Sequence, residues 1–367
     1  MEHFDAVIVG GGPAGSTCAW QLHRAGLNVA ILDRAIFPRD KVCAGWITPP
    51  VVSLLELDVA DYRRGRVFQP ITAFRTSLVG RAGTDTRYAD AVSFGIRRCE
   101  FDDYLLRRSG ARLRCGEAVS NLRRVDNEWV INGALVSPMI VGAGGHLCPA
   151  ARWLNPHRHD GPVIAALEME VPLDDGQFAR MSADSPVLRF FEDLNGYGWC
   201  LRKENVLNVG LGLENAHELP RQAHDFLATL ASEHLIPGDL SAPLRGHAYL
   251  VASRRHRTRI GDGIVLAGDA AGLADPHSGE GIRPAIESGL LAAGAILRAN
   301  GHYDRAHLAS YEEQLRARFG AGARPAMLPP WLLRLLARSV MRSRWLTRHL
   351  VLDRWFLGRH RPPLATP

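Results

Sequence analysis

The sequence is poor in the features that would settle its class at once. No apolar run reaches the roughly 18 to 20 residues needed to span a bilayer, so a membrane-spanning helix is not expected. The first apolar run, Ala6 to Val9, follows Glu2 and Asp5 and leads straight into Gly10. A secretory signal has a basic start and a longer apolar stretch, so none is predicted and the protein is expected in the cytoplasm. Lysine is confined to Lys41 and Lys203, leaving arginine to carry the positive charge. The six cysteines (18, 43, 99, 115, 148 and 200) include no Cys-x-x-Cys pair and no Cys/His ligand spacing. They read as reduced thiols, and no metal site is predicted. Internal repeats and low-complexity tracts are missing as well.

What is present is ordinary for a soluble globular chain: 367 residues, 46% hydrophobic and 22% charged, enough for about two domains. The net charge of +6 is unevenly placed. Residues 324–361 hold nine arginines against the single acid Asp353, which makes that segment +8 and the remainder about −2. The basicity belongs to a tail, so it does not predict nucleic-acid binding by the body of the protein.

Asp5 to Val9 reads as a buried strand, Pro13 to Ala25 as a helix starting inside a glycine loop, and Asn28 to Leu32 as the next strand. Helices are predicted over Pro50 to Leu57, Phe101 to Ser109 and Gly281 to Arg298, and around Arg221 to Glu233. Residues 66–97 suggest antiparallel strands, 112–141 a strand meander, and Pro162 to about Val251 a strand-rich stretch. Ile264 to Gly268 returns to a buried parallel strand, and Pro325, Pro329 and Pro330 mark a break before the basic tail. The expected fold class is α/β. A Rossmann-like dinucleotide-binding domain is built from 1–65, 92–160 and 256–322, with an inserted, mainly antiparallel β substrate domain from 66–91 and 161–255. A helical tail occupies 323–367.

Two motifs carry chemistry. Gly10-Gly-Gly12-Pro13-Ala14-Gly15 is a G-x-G-x-x-G between strand and helix, with Asp33, and Arg34 beside it, twenty-three residues beyond Gly10. Gly10 permits the tight turn, Gly12 admits phosphate to the backbone, and Gly15 lets helix and strand pack closely. The helix N-terminus then offers N–H groups and partial positive charge to a pyrophosphate, and Asp33 is placed to accept from ribose hydroxyls. The second motif runs from Ile264 through Gly268, Asp269, Pro276, His277, Gly279 and Gly281 to Ile282. It reads as strand, acid, glycine-rich loop and helix.

With this second motif the chain resembles FAD-dependent hydroxylases of the p-hydroxybenzoate hydroxylase type and, more closely, the geranylgeranyl reductase family. The resemblance implies FAD, with Asp269 on the ribityl chain and the backbone from Gly279 to Ile282 at the pyrimidine edge of the flavin. Arg98, followed by Phe101-Asp102, resembles an Arg-x-x-Phe-Asp whose arginine lies along the cofactor. Gly142-Ala143-Gly144-Gly145 occupies the place of a Gly-Ala-Asp-Gly segment, with the acid replaced by Gly144. Phe37-Pro-Arg-Asp-Lys41-Val-Cys43-Ala44-Gly45 is similar to the reductases' stretch beside the flavin ring. Tyr197-Gly-Trp199 is similar to their Tyr-x-Trp-x-Phe-Pro, but Cys200-Leu201 stands where Phe-Pro is expected, so the distal pocket is expected to differ.

The resemblance implies reduction of a carbon–carbon double bond in a hydrophobic, isoprenoid-like substrate by hydride from reduced flavin N5. The alternatives are an aromatic monooxygenase working through a C4a-hydroperoxide and a flavin-binding protein without turnover. Cys43 is the candidate proton donor, His277 a candidate acid/base, and Tyr197 and Trp199 candidate pocket walls. With one dinucleotide loop taken by FAD, NAD(P)H or a protein donor is expected as a transient reductant. Residues 331–361 are expected either to contact an anionic membrane surface or to pack on the flavin domain with a solvated basic face.

Overall fold

The computed structural model describes residues 1–156, 163–178, 181–193, 195–214, 216–238, 240, 242–251, 257–276, 278–320 and 329–364. Ala6–Val9, Val29–Asp33, Ile140–Gly142 and Ile264–Leu266 are short, almost wholly apolar runs, the pattern of strands buried on both faces. They form the centre of a six-stranded sheet ordered Ile260–Gly261, Ile264–Leu266, Ile140–Gly142, Ala6–Val9, Val29–Asp33 and Arg112–Cys115. All neighbours are parallel except the first pair. Helices Pro13–Arg24 and Ile282–Ala299 pack against each other beside it.

The meander expected over 112–141 is shorter than its sequence pattern. Leu122–Val125, Glu128–Ile131 and Leu135–Ser137 form it, joined by Glu2–His3 into a four-stranded sheet. Arg112–Cys115 instead closes the edge of the parallel sheet, and Ile140–Gly142 returns to its centre. Alternation marks a strand in either setting and does not name its partner.

The second large layer is a seven-stranded sheet. Its order is Arg245–Leu250, Val163–Pro172, Val206–Leu213, Gly196–Lys203, Val187–Phe190, Ala73–Leu78 and Thr84–Arg87. It is antiparallel except where Val187–Phe190 runs parallel to Ala73–Leu78. A period of two divides these strands cleanly. Met169, Val171, Cys200, Leu207, Val209 and Leu211 face the helix Leu219–Ser232, whose Leu219, Ala223, Phe226 and Leu230 recur at helical spacing. Ala166, Tyr197, Trp199, His247 and Tyr249 face the other way, into a cavity.

The C-terminal tail covers this second sheet. Met341 of the helix Pro330–Arg342 and Val351 pack on Leu78, while Leu352 and Leu357 join Phe74, Leu188 and Trp199. The expectation that the tail rests on the flavin domain is therefore corrected: its main apolar contacts are with the seven-stranded sheet. An amphipathic pattern shows that a helix has a face to bury, not which layer receives it. Of the proline break, Pro325 lies outside the described residues.

One contact fixes how closely the first helix lies on its strand. A Cβ on Gly15 would sit 2.0 Å from the Gly10 carbonyl oxygen. Gly15→Ala is expected to cost about 1–3 kcal/mol through overpacking, lowering the denaturation midpoint and the flavin content of the purified protein. A variant with unchanged midpoint and flavin content would show that the loop absorbs the methyl group.

Candidate functional site

A cavity of about 840 Å³ lies where the carboxyl ends of the parallel strands meet the free face of the seven-stranded sheet. This is the position at which open α/β sheets bind ligands. At one end is the glycine loop. Gly10 has φ +113°, and a Cβ there would lie 2.5 Å from Ala143 O, so the turn admits only glycine. Gly12 opens onto the cavity, with only the Arg39 guanidinium within 4 Å of where its Cβ would be. No side chain caps the helix that begins at Pro13, which leaves first-turn amides for an anionic ligand. Asp33 accepts from Gly11 N and Ala35 N, each at 2.8 Å, so it shapes the loop as well as lining the cavity beside Arg34.

The middle of the cavity is rich in cations. Buried Arg98 forks onto Asp102 at 2.8 and 2.7 Å, and Arg39 reaches the same carboxylate at 3.1 Å. Burial works against the charge of Arg98, but Asp102 and the Cys43 thiol outweigh it and hold the guanidinium ionised. Lys41 Nζ donates to His247 Nε2. Burial, then Arg98, lowers Lys41 to about 8. Burial and Lys41 together lower His247 to about 3, so its ring is neutral.

The far end joins two layers of the molecule. Cys43 N donates to Glu168 Oε2 at 2.8 Å. Asn208 Nδ2 donates to the same oxygen at 3.3 Å and to Cys43 O at 3.4 Å, while its own Oδ1 accepts from Trp199 Nε1 at 2.6 Å. Beyond this network stands an aromatic wall. Trp46 meets Phe356 edge-on at 5.0 Å, Tyr197 lies 5.8 Å from Phe356 and 6.0 Å from Trp199, and Tyr197 Oη donates to Ser278 O at 2.6 Å. Burial pushes the Tyr197 phenol well up, so it remains neutral.

Most residues expected at the site converge on this one cavity. Gly10, Gly12, Pro13, Ala14, Asp33, Arg34, Lys41, Cys43, Ala44, Gly45 and Arg98 line it, as do Ala143, Tyr197, Trp199, Gly268, Asp269, Gly279, Gly281 and Ile282. Gly15 and Gly142 stand behind its wall, in the helix and the central strand. Pro276 opens instead on a neighbouring cavity of about 70 Å³, which Tyr197, Trp199 and Gly279 also touch. His277 lies outside the described residues. The expected difference at Cys200-Leu201 does not fall on the cavity wall. Cys200 faces the helix side and Leu201 is buried beneath Trp199. Glu168, Asn208, His247, Tyr249 and Phe356 were not singled out by sequence. For the first four the available signal was a polar or aromatic residue recurring on alternate positions of a strand; for Phe356 there was none.

The donor set suits FAD: a glycine cradle and uncapped helix for the pyrophosphate, a cationic middle for its charge, and an acid on the Gly268–Ala271 turn for the ribityl chain. The sequence profile of FAD-dependent oxidoreductases matches residues 5–92. The chain is an FAD-dependent oxidoreductase. This flavoprotein is 28% identical to the menaquinone reductase of Mycolicibacterium smegmatis over 372 residues, covering 92% of this chain and 88% of the relative. It is 29% identical over 317 residues to the geranylgeranyl diphosphate reductase of Rhodobacter capsulatus, covering 80% and 75%. A solved geranylgeranyl bacteriochlorophyll reductase-like protein from Thermoplasma acidophilum shares the fold with TM-score 0.78 at 19% identity, over 98% of both chains. A flavin-dependent halogenase and a probable FAD-dependent monooxygenase share it too.

In the flavoprotein, Gly10–Ala14 would hold the pyrophosphate, Arg98 and Lys41 its length, and Asp269 with Gly279–Ile282 the ribityl chain and ring edge. Asp269→Ala removes a charge-assisted acceptor worth about 1.5–3 kcal/mol. The expected result is roughly ten- to a hundred-fold weaker FAD binding, measured by fluorescence during titration of the deflavinated protein. Wild-type affinity would show that the carboxylate points away from the cofactor.

Proposed function

We propose that this flavoprotein reduces a carbon–carbon double bond of a hydrophobic, isoprenoid-like substrate. The observation that carries the reading is the single cavity that runs from the phosphate-binding loop to an aromatic wall, with the Cys43 thiol between the two. Two of the relatives are named as reductases of menaquinone and of geranylgeranyl diphosphate, which supports the substrate class.

When bound and reduced by NAD(P)H or a protein donor, FAD supplies a hydride at N5. The protein's part is to seat the alkene, exclude water and deliver one proton. Trp46, Tyr197, Trp199 and Phe356 give the alkene an apolar seat. With its indole N–H bound to Asn208, Trp199 has no free polar edge to offer. Cys43 is the proton source. Its thiol is half-buried in the cavity and accepts a hydrogen bond from Gly45 N at 3.4 Å. The other candidates are less suited: His247 is neutral at physiological pH, and the Tyr197 proton is directed to a backbone carbonyl. Hydride and proton together reduce the alkene, and the thiolate regains its proton from solvent on product release.

A monooxygenase reading rests on the shared fold. The two are separated by supplying reduced protein with a panel of unsaturated isoprenoid and acyl compounds and weighing the product. A reductase adds two hydrogens without oxygen; a monooxygenase adds an oxygen atom and needs air. Cys43→Ala is expected to slow turnover of a reduced acceptor about 10²–10⁴-fold while leaving the flavin spectrum and acceptor-free flavin reduction unchanged. Turnover at the wild-type rate would remove the thiol from the proton step.

A further inference from the structure

The C-terminal tail has a second apolar face that no other described residue covers. Among the described residues, twelve large apolar side chains are exposed, and four of them fall within residues 331–345. Trp331 is 62% exposed, Leu335 49%, Leu336 45% and Trp345 66%. Trp331 and Leu335 lie one turn apart on the helix Pro330–Arg342. Ala337 and Met341, also one turn apart, are buried about a third of the way round the helix, and Met341 holds it to the body. Arg334, Arg342 and Arg344 are exposed around this apolar strip.

We propose that this face docks on an anionic lipid surface, with the helix lying in the plane of the interface. No helix among the described residues is long and apolar enough to cross a membrane, so the contact is superficial. Exposed tryptophan and leucine enter the headgroup boundary, and the arginines beside them meet acidic headgroups. Charge argues against a second copy as the occupant. Arg334, Arg342 and Arg344 are exposed beside this face, and pairing two such faces places like charges together. The same tail continues to Phe356 and Leu357 in the cavity wall, which ties the docking face to the site along one stretch of chain. The proposal rests on the surface itself and stands apart from the reductase reading.

The test is sedimentation of the FAD-loaded protein with vesicles of phosphatidylcholine alone or mixed with phosphatidylglycerol, neither of which offers an isoprenoid to reduce. The mixed vesicles are expected to bind the protein and release it at raised salt, while the neutral ones bind it weakly. Each arginine changed to glutamine among Arg334, Arg342 and Arg344 should weaken binding roughly fivefold. Trp331→Ser and Leu335→Ser should each weaken it roughly tenfold, with flavin content and spectrum as in the wild type because both side chains are exposed. Equal binding to the two vesicle types, or undiminished binding by the serine double variant, would overturn the proposal. So would a wild-type dimer in light scattering that ignores vesicles and falls to monomer in the double variant, since the face would then join two copies.

Discussion

The hydrogen bond from the Cys43 amide to Glu168 is the contact on which the shape of the site depends. It ties the loop after the first two parallel strands to the middle of the seven-stranded sheet, so the cavity has two walls in fixed relation. Glu168 is only 6% exposed, and burial pushes its carboxyl up. Such a group is tolerated inside only when its oxygens are occupied. Asn208 Nδ2 and the Cys43 amide both donate to its Oε2. The neighbouring Glu170 is handled differently. Burial would raise it, but Lys203 at 2.9 Å and Arg97 at 2.8 Å hold it low and ionised. Lys203 itself is fully buried. Removing any one member leaves another without a partner in a low-dielectric setting, which makes the cluster a positioning device more than a source of net stability.

That anchoring explains how one cavity serves two unlike needs. Its glycine end and middle present backbone amides, Arg39, Lys41 and Arg98, an environment in which burial and neighbouring cations have already lowered Lys41. Negative charge placed there would restore the lysine and suit an anionic cofactor. The other end offers rings whose polar atoms are bound elsewhere, Trp199 to Asn208 and Tyr197 to Ser278. Cys43 lines the cavity between the two, its backbone held by Glu168 and Asn208 and its sulfur accepting from Gly45 N.

The cofactor half of this arrangement was legible in the sequence because it is local. Gly10–Gly15 with Asp33, and Ile264–Ile282, each compress a strand, a turn and a helix start into a short stretch of chain with residue types that the geometry requires. The substrate half is built across long separations. Glu168, Asn208 and His247 come from three strands and meet a loop that ends at Gly45; before the sheet order is known they are polar residues in apolar strands. Arg112–Cys115 was assigned to the wrong sheet for the same reason, since a strand's own sequence reports burial and not its partner. The tail failed differently. Its amphipathic character was plain, but the layer it covers is decided by Met341, Val351, Leu352 and Leu357 meeting residues more than 130 positions away.

The tail also accounts for the departure at Cys200-Leu201. On the alternating strand Gly196–Lys203, Cys200 must face the helix layer if Tyr197 and Trp199 face the cavity. Leu201 returns to the cavity side but is buried beneath Trp199. Neither residue is therefore in a position to shape the distal pocket. The residue that does so is Phe356, set against Trp46, Phe74 and Tyr197 by a helical turn that follows the exposed strip of Trp331, Leu335 and Trp345. Its neighbour Leu357 is buried in the same cluster. The distal wall thus belongs to a segment held to the sheet by a few apolar contacts and, through Arg361, to Asp275 in the loop before Gly279. The same segment is also tied to the side of the parallel sheet, where Gly358 O and Pro362 O accept from Arg283 and Arg318. The tail thus supplies part of the wall at the apolar end, and the glycine loop on the parallel sheet lines the other end of the same cavity.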